Sequence, residues 1–125
     1  MSIAGLHHVA IPYPVGADAK ALAFYGGILG LTKLDKPAGL QRDGGLWFGL
    51  ADGRQIHLQA DPQFTPLTRP HPAFACEDIE AIAAKLAEAG HSPRWDERWD
   101  GVKRFFTHDP FGNRLEFVRA QAVGL

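Results

Sequence analysis

Hydrophobic and polar positions switch period twice along the chain, each time in the same order. Leu6 to Ile11 alternates as a short strand, and Pro12 and Pro14 predict its end. From about Ala17 to Leu29 the spacing becomes helical. Ala17, Ala21, Phe24 and Ile28 form one stripe with Leu22, Tyr25 and Leu29 beside it, and Gly30 stands where a helix commonly stops. Three strand-like pieces follow, near Thr32–Asp35, Leu46–Leu50 and Arg54–Gln59, with turn signals at Asp43-Gly44-Gly45 and Asp52-Gly53.

The order then repeats. His71 to Cys76 alternates as a strand, Glu77-Asp78 supplies an N-cap, and Ile79, Ile82, Leu86 and Ala89 follow at helical spacing up to Gly90. Strand-like pieces near Ser92–Asp96, Lys103–Thr107 and Asn113–Val118 complete the half, with turns at Asp100-Gly101 and Pro110-Phe111-Gly112-Asn113. Corresponding positions keep a nearly constant offset: 63 residues from His8 to His71, 60 from Gly30 to Gly90, 59 from His57 to Glu116. The pattern predicts βαβββ twice, an α+β arrangement within one domain, with a first module over about 1–62 and a second over about 69–120.

Composition narrows the partners. A chain of 125 residues suits one domain or two small modules sharing a core. The net charge is −1 and Lys103-Arg104 is the only adjacent basic pair, so neither nucleic acid nor an acidic membrane is expected as partner. No apolar run approaches the roughly 18 residues of a spanning helix, and the first residues lack the features of a signal peptide. Cys76 is the only cysteine, which makes a reducing cytoplasm the expected setting and a small buried hydrophobe its expected role.

Four residues could carry chemistry: His8, His57, His71 and Glu116. Strand alternation puts His8 with Leu6 and Ala10, His57 with Gln55 and Gln59, His71 with Ala73 and Ala75, and Glu116 with Arg114 and Val118. In each strand the bulky apolar residues lie mainly on the other face, so these four are expected to line an open cavity. Three imidazoles and one carboxylate suit a divalent transition ion: zinc, nickel, iron, cobalt or manganese. Four protein ligands on an octahedral ion leave two adjacent positions for water or a chelating substrate. A lone strand histidine is more often a hydrogen-bonded structural residue, and spacing alone does not bring the four together. Trp47, Arg104 and Arg114 are candidate substrate contacts, for which packing or a surface ion pair is the competing account.

Leu6-His7-His8-Val9-Ala10-Ile11, Phe24-Tyr25-Gly26-Gly27-Ile28-Leu29-Gly30-Leu31 and Asp109-Pro110-Phe111-Gly112-Asn113-Arg114-Leu115-Glu116-Phe117 together resemble the vicinal oxygen chelate superfamily over nearly the whole chain. That superfamily includes glyoxalase I, extradiol dioxygenases, fosfomycin-resistance transferases, methylmalonyl-CoA epimerase and bleomycin-resistance proteins. The resemblance implies two βαβββ modules in a mixed-sheet half-barrel. It gives His8 the first ligand position, His71 and Glu116 the ligands of the second module, and His7 a structural role facing the helix. His57 falls at a fourth position, filled by glutamate in glyoxalase I and glutamine in the epimerase; histidine there removes a carboxylate that could act as base. The implied activity is metal-dependent lyase or isomerase chemistry on a small substrate with two adjacent oxygens, with Glu116 or His57 moving the proton. An iron extradiol dioxygenase using His8, His71 and Glu116, with His57 off the metal, is the first alternative. A non-enzymatic drug-binding protein of the bleomycin-resistance type, using Trp47, Trp95, Trp99, Phe105 and Phe106, is the second. A homodimer is expected, because one module makes only a half-open cup.

Overall fold

The computed structural model describes residues 2–120. The chain forms two compact units, Met1–Thr65 and Pro66–Leu125.

In the first unit, β1 (His8–Pro14) lies at one edge of a four-stranded sheet, followed in space by β4 (Gln55–Asp61), β3 (Leu46–Gly49) and β2 (Thr32–Leu34). β1 runs parallel to β4 and the other pairs are antiparallel. The first strand starts and ends later than the prolines suggest. Gln55 N–H donates to the His7 carbonyl at 3.1 Å, so odd-numbered residues of this strand direct their backbone groups at β4. Pro12 and Pro14 are even-numbered, and the N–H they lack would point away from β4.

The helical segment also differs from its prediction. α1 (Asp18–Ala21) passes at once into a π-helix over Leu22–Ile28, where Leu29 N–H reaches back five residues to the Phe24 carbonyl at 2.9 Å. Phe24 and Tyr25 are adjacent, yet both are fully buried, and Ile28 of the expected stripe is only half-buried. A widened turn brings two neighbouring aromatic rings onto the core side, and Gly26-Gly27 offer no side chains to resist it. Tyr13 O–H donates to Asp18 at 2.6 Å and ties the helix start to β1. The core joins Ile11, Tyr13, Phe24 and Tyr25 to Leu46, Phe48, Ile56 and Leu58. A 3₁₀ helix over Ala38–Asp43, which the sequence pattern does not announce, leads into Gly44-Gly45. Gly45 has φ of +94°, and a Cβ there would run into the Leu58 carbonyl.

The second unit repeats the topology. β5 (Ala73–Cys76) runs parallel to β8 (Arg114–Arg119), which pairs antiparallel with β7 (Arg104–His108), itself antiparallel to β6 (Arg94–Asp96). α2 (Ile79–Glu88) starts at Asp78, whose carboxylate accepts Ala81 N–H at 3.1 Å as the sequence predicts. Ile79, Ala83 and Leu86 are its buried positions. Phe105, Leu115 and Phe117 are fully buried on one face of this sheet, with the Phe105 and Phe117 rings stacked at 4.9 Å. Arg104, Phe106, Arg114 and Glu116 lie on the other face by strand alternation. Among the described residues no helix is long and apolar enough to cross a membrane.

Candidate functional site

In the first unit the candidates form a stack of rings. Trp47 pairs with His57 across β3 and β4, and their rings are parallel with centroids 4.0 Å apart. His8 covers the other face of His57 at 3.9 Å and an interplanar angle of 13°. His57 is only 5% exposed. Its Nε2 lies 2.8 Å from Gln55 Oε1, so Nε2–H donates and Nδ1 keeps the lone pair. Burial, and then positive charge on His8, His7 and Lys36, push its pKa down to about 4. The imidazole is therefore neutral at pH 7.

That stack bears on metal binding. A ligated ion lies in the plane of the imidazole that holds it, about 2.0–2.1 Å from the nitrogen. Two rings lying face to face have no such point in common. As stacked, His8 and His57 do not chelate one ion together, and His8 lies exposed at the end of the stack. His7 precedes β1 and does not follow its alternation. It is exposed rather than turned to the helix, with its Nδ1 3.0 Å from that of His8.

In the second unit the closing turn assembles the site. Asp109 and Asn113 are buried. Asp109 Oδ1 accepts the N–H groups of Phe111 and Asn113, both at 2.9 Å, and Oδ2 accepts Asn113 Nδ2 at 3.0 Å. Asn113 Oδ1 in turn accepts Leu67 N–H at 2.9 Å. Two backbone bonds continue this lacing, Arg114 N–H to the Leu67 carbonyl at 2.8 Å and Glu116 N–H to the Pro72 carbonyl at 3.1 Å. The segment before β5 is thereby fixed along the start of β8, which brings His71 beside Glu116.

His71 Nε2 stands 2.8 Å from Glu116 Oε1, and His71 Nδ1–H donates to the Arg69 carbonyl at 2.7 Å. With Nδ1 carrying its proton, Nε2 of a neutral ring presents a lone pair to a carboxylate oxygen. Two such atoms meet at that distance only with a proton or a cation between them. Donors each bound to one ion at about 2.0–2.1 Å and at a right angle would stand about 2.9 Å apart. An imidazole whose far nitrogen is fixed by a carbonyl is also the usual support of a metal ligand. The spacing is that of an imidazolium–carboxylate ion pair and equally that of two neighbouring ligands of one divalent ion. Among the described residues, no three His, Cys, Asp or Glu side chains are grouped to hold an ion.

The other oxygen of Glu116 belongs to Arg104, whose Nη1 donates to Oε2 at 3.0 Å while Nη2 donates to Asp96 at 3.2 Å. Hydrogen bonds from Arg98, and then Arg104, hold the Asp96 carboxyl down at about 2. Phe106 lies directly opposite Glu116 in the β7–β8 register. Its ring has the Arg104 guanidinium at 5.1 Å, that of Arg114 at 4.2 Å and the His71 ring edge-on at 5.5 Å. Of the candidate contacts, Arg104 and Arg114 thus join the His71–Glu116 cluster, whereas Trp47 is spent on His57. Gln55, Asp96, Asp109 and Asn113 are not among the site residues the sequence singles out, and Phe106 enters there only as an aromatic of the drug-binding alternative. Phe106 and Asp96 share parity with Arg104, and that alternation was the available signal.

The comparisons agree with this architecture. A glyoxalase family protein from Bacillus anthracis superposes with a TM-score of 0.90 at 37% identity, over 95% of this chain and 97% of that one. Lactoylglutathione lyase from Agrobacterium tumefaciens shares the fold with a TM-score of 0.75 at 17% identity, covering 100% of both chains. The fosfomycin resistance protein FosX of Listeria monocytogenes does so with a TM-score of 0.75 at 19% identity, over 95% of this chain and 92% of that one. A search of curated proteins gave no match. The family model for the glyoxalase/bleomycin resistance protein/dioxygenase superfamily matches residues 5–117, from before β1, through the closing turn and into β8. With topology, motif and family model in accord, this chain belongs to that superfamily.

Proposed function

We propose that the protein is a divalent-metal-dependent member of the superfamily, acting on a small substrate through two adjacent oxygens in lyase or isomerase chemistry of the glyoxalase type. His71 and Glu116 would hold the ion, and His8, of the same chain or of a second copy in a homodimer, would complete the set. The observation that carries this is the 2.8 Å contact between His71 Nε2 and Glu116 Oε1, with His71 Nδ1–H fixed on the Arg69 carbonyl. When bound, such an ion supplies Lewis-acid stabilisation of negative charge on substrate oxygens. Glu116, held by His71 and Arg104, would serve as a ligand rather than as a mobile base. For proton transfer His57 would be the acceptor: its ring is neutral at pH 7 and Nδ1 retains a lone pair, with a basicity that burial lowers.

Manganese is the first ion to test, because a variant of the Listeria FosX has been crystallised with Mn(II) and 1S,2S-dihydroxypropylphosphonic acid. Calorimetric titration with Mn²⁺ should show binding by the wild type and a loss of about tenfold or more in Glu116→Gln and His71→Ala. His57→Ala should keep its affinity. Equal affinity in wild type and Glu116→Gln would defeat the proposal. Sedimentation at micromolar concentration reads the expected homodimer.

A second reading takes His57 off the metal, because it is stacked between Trp47 and His8; the His8, His71 and Glu116 implied by the family resemblance would then be a two-His, one-carboxylate set. That is the ligand set of a non-haem iron site with open positions. Oxygen uptake by iron-loaded protein supplied with catechols would select extradiol cleavage over proton transfer.

A further inference from the structure

The His71–Glu116 face of the second sheet carries a cation that no carboxylate pairs. Both Nη atoms of Arg104 are committed, to Glu116 and to Asp96. Arg114 has no such partner: its guanidinium lies 4.2 Å above the Phe106 ring, and its Nε is buried without a hydrogen-bond partner. Among the described residues its side chain makes no ion pair or hydrogen bond. Arg104 Nε is likewise buried without a partner, so what distinguishes Arg114 is that no carboxylate takes its fork. The position is equally telling. Arg114 and Glu116 stand two residues apart on the same face of β8, and Phe106, on which Arg114 rests, pairs directly with Glu116. The guanidinium therefore sits one strand step from the His71–Glu116 donors, and its planar fork matches a planar oxyanion.

We propose that Arg114 selects the substrate by reading a carboxylate carried beside the oxygens that meet the metal. This rests on the proposed metal site for the location of the chelating end, but the anion contact is made by Arg114 itself. It assigns the substrate to the anionic class and excludes neutral diols and hydroxyketones as preferred ligands.

The test uses a matched pair of probes, 3,4-dihydroxybenzoate and catechol, which share the chelating diol and differ in the carboxylate. Each is titrated under argon into manganese-loaded protein, with tryptophan fluorescence as the readout. Wild type should bind the carboxylate probe about tenfold or more tightly than catechol, as charge-assisted hydrogen bonds allow. Arg114→Gln should erase that preference without weakening Mn²⁺ or catechol binding, and Arg114→Lys should restore part of it. A preference that survives in Arg114→Gln, or one absent from wild type, overturns the proposal. If manganese does not bind, the metal reading fails separately. Benzoate against benzyl alcohol on the metal-free protein then decides the anion contact, and no preference there overturns it. A second readout separates selection from packing. Arg114→Leu should match or exceed the wild-type melting temperature, because it removes an unpaired buried N–H, whereas a structural arginine would lower it.

Discussion

Asn113→Ala is the substitution with the clearest worked cost. The side chain is fully buried. Its Oδ1 accepts Leu67 N–H at 2.9 Å, and its Nδ2 donates to Asp109 Oδ2 at 3.0 Å. Truncation leaves the Leu67 N–H and one Asp109 oxygen without these partners. A buried polar group stripped of its partner costs about 1–3 kcal/mol, so the pair should cost about 2–4 kcal/mol. For a chain of this size that lowers the melting temperature by about 10 °C. Urea unfolding should show a lower midpoint with unchanged slope. The lesion should also reach function, since the Leu67 tie positions the segment that carries His71. At 15 °C, where the variant remains folded, its Mn²⁺ affinity should fall well below that of the wild type. Asn113→Asp separates the two bonds. It keeps the acceptor for Leu67 but sets a carboxylate oxygen against Asp109, so it should be destabilised at pH 7 and recover as the pH is lowered. A melting temperature within about 1 °C of wild type for Asn113→Ala would refute the reasoning.

Other consequences are read more briefly. In metal-free protein, His57 takes up its proton near pH 4, whereas the unfolded chain does so near 6.5. Its contribution to stability is complete above pH 6.5 and is lost as the pH falls toward 4, the loss reaching about 2.5 kcal/mol at pH 4.5. His57→Phe, which keeps the ring stack, should flatten that dependence in urea unfolding; equal slopes in both proteins would show the assignment wrong. Gly45→Ala combines a positive φ with a Cβ against the Leu58 carbonyl and should cost about 1–3 kcal/mol in the same assay. Burial pushes the Cys76 thiol up to about 11. At pH 8 its reaction with a disulfide reagent should run about a hundredfold slower in native protein than in urea, and comparable rates would count against it.

The fold was legible because its two halves obey simple periods. Alternation in the strands and the Ile79–Leu86 spacing of α2 are local signals, and the Asp78 cap is read from one residue. The missed features are tertiary. Pro12 and Pro14 end a strand on local grounds, but which side their lacking N–H faces depends on the partner β4. The widened turn over Leu22–Ile28 answers to the core's demand for both Phe24 and Tyr25. For the site, alternation gave the right face for Arg104, Arg114 and Glu116 but said nothing of pairing. That His57 would be enclosed by Trp47 and His8 follows from cross-strand register, which sequence does not specify. The Asp109–Asn113 motif was visible as a family mark, and its physical task emerged only from the bonds to Leu67.

Glu116 faces two cationic claims, and Asp96 is what reconciles them. Arg104 donates to Oε2 of Glu116, so any ion on Oε1 has a guanidinium as neighbour across one carboxylate. Unrelieved, that like-charge pair would oppose metal binding. Asp96 accepts from the same guanidinium at 3.2 Å and stays ionised far below neutral pH. Its charge offsets that of Arg104 and leaves the charge of Glu116 for the ion. Asp96→Asn keeps the size and an acceptor oxygen but removes the charge. Mn²⁺ affinity should then fall several-fold, and more at low salt than at high, since screening weakens what repulsion remains. Arg104→Gln in the same background should recover the affinity, because it removes the charge that Asp96 had balanced. If Asp96→Asn binds Mn²⁺ as tightly as wild type, Arg104 is not a competitor for Glu116, and its ion pair with Asp96 serves the β6–β7 pairing alone.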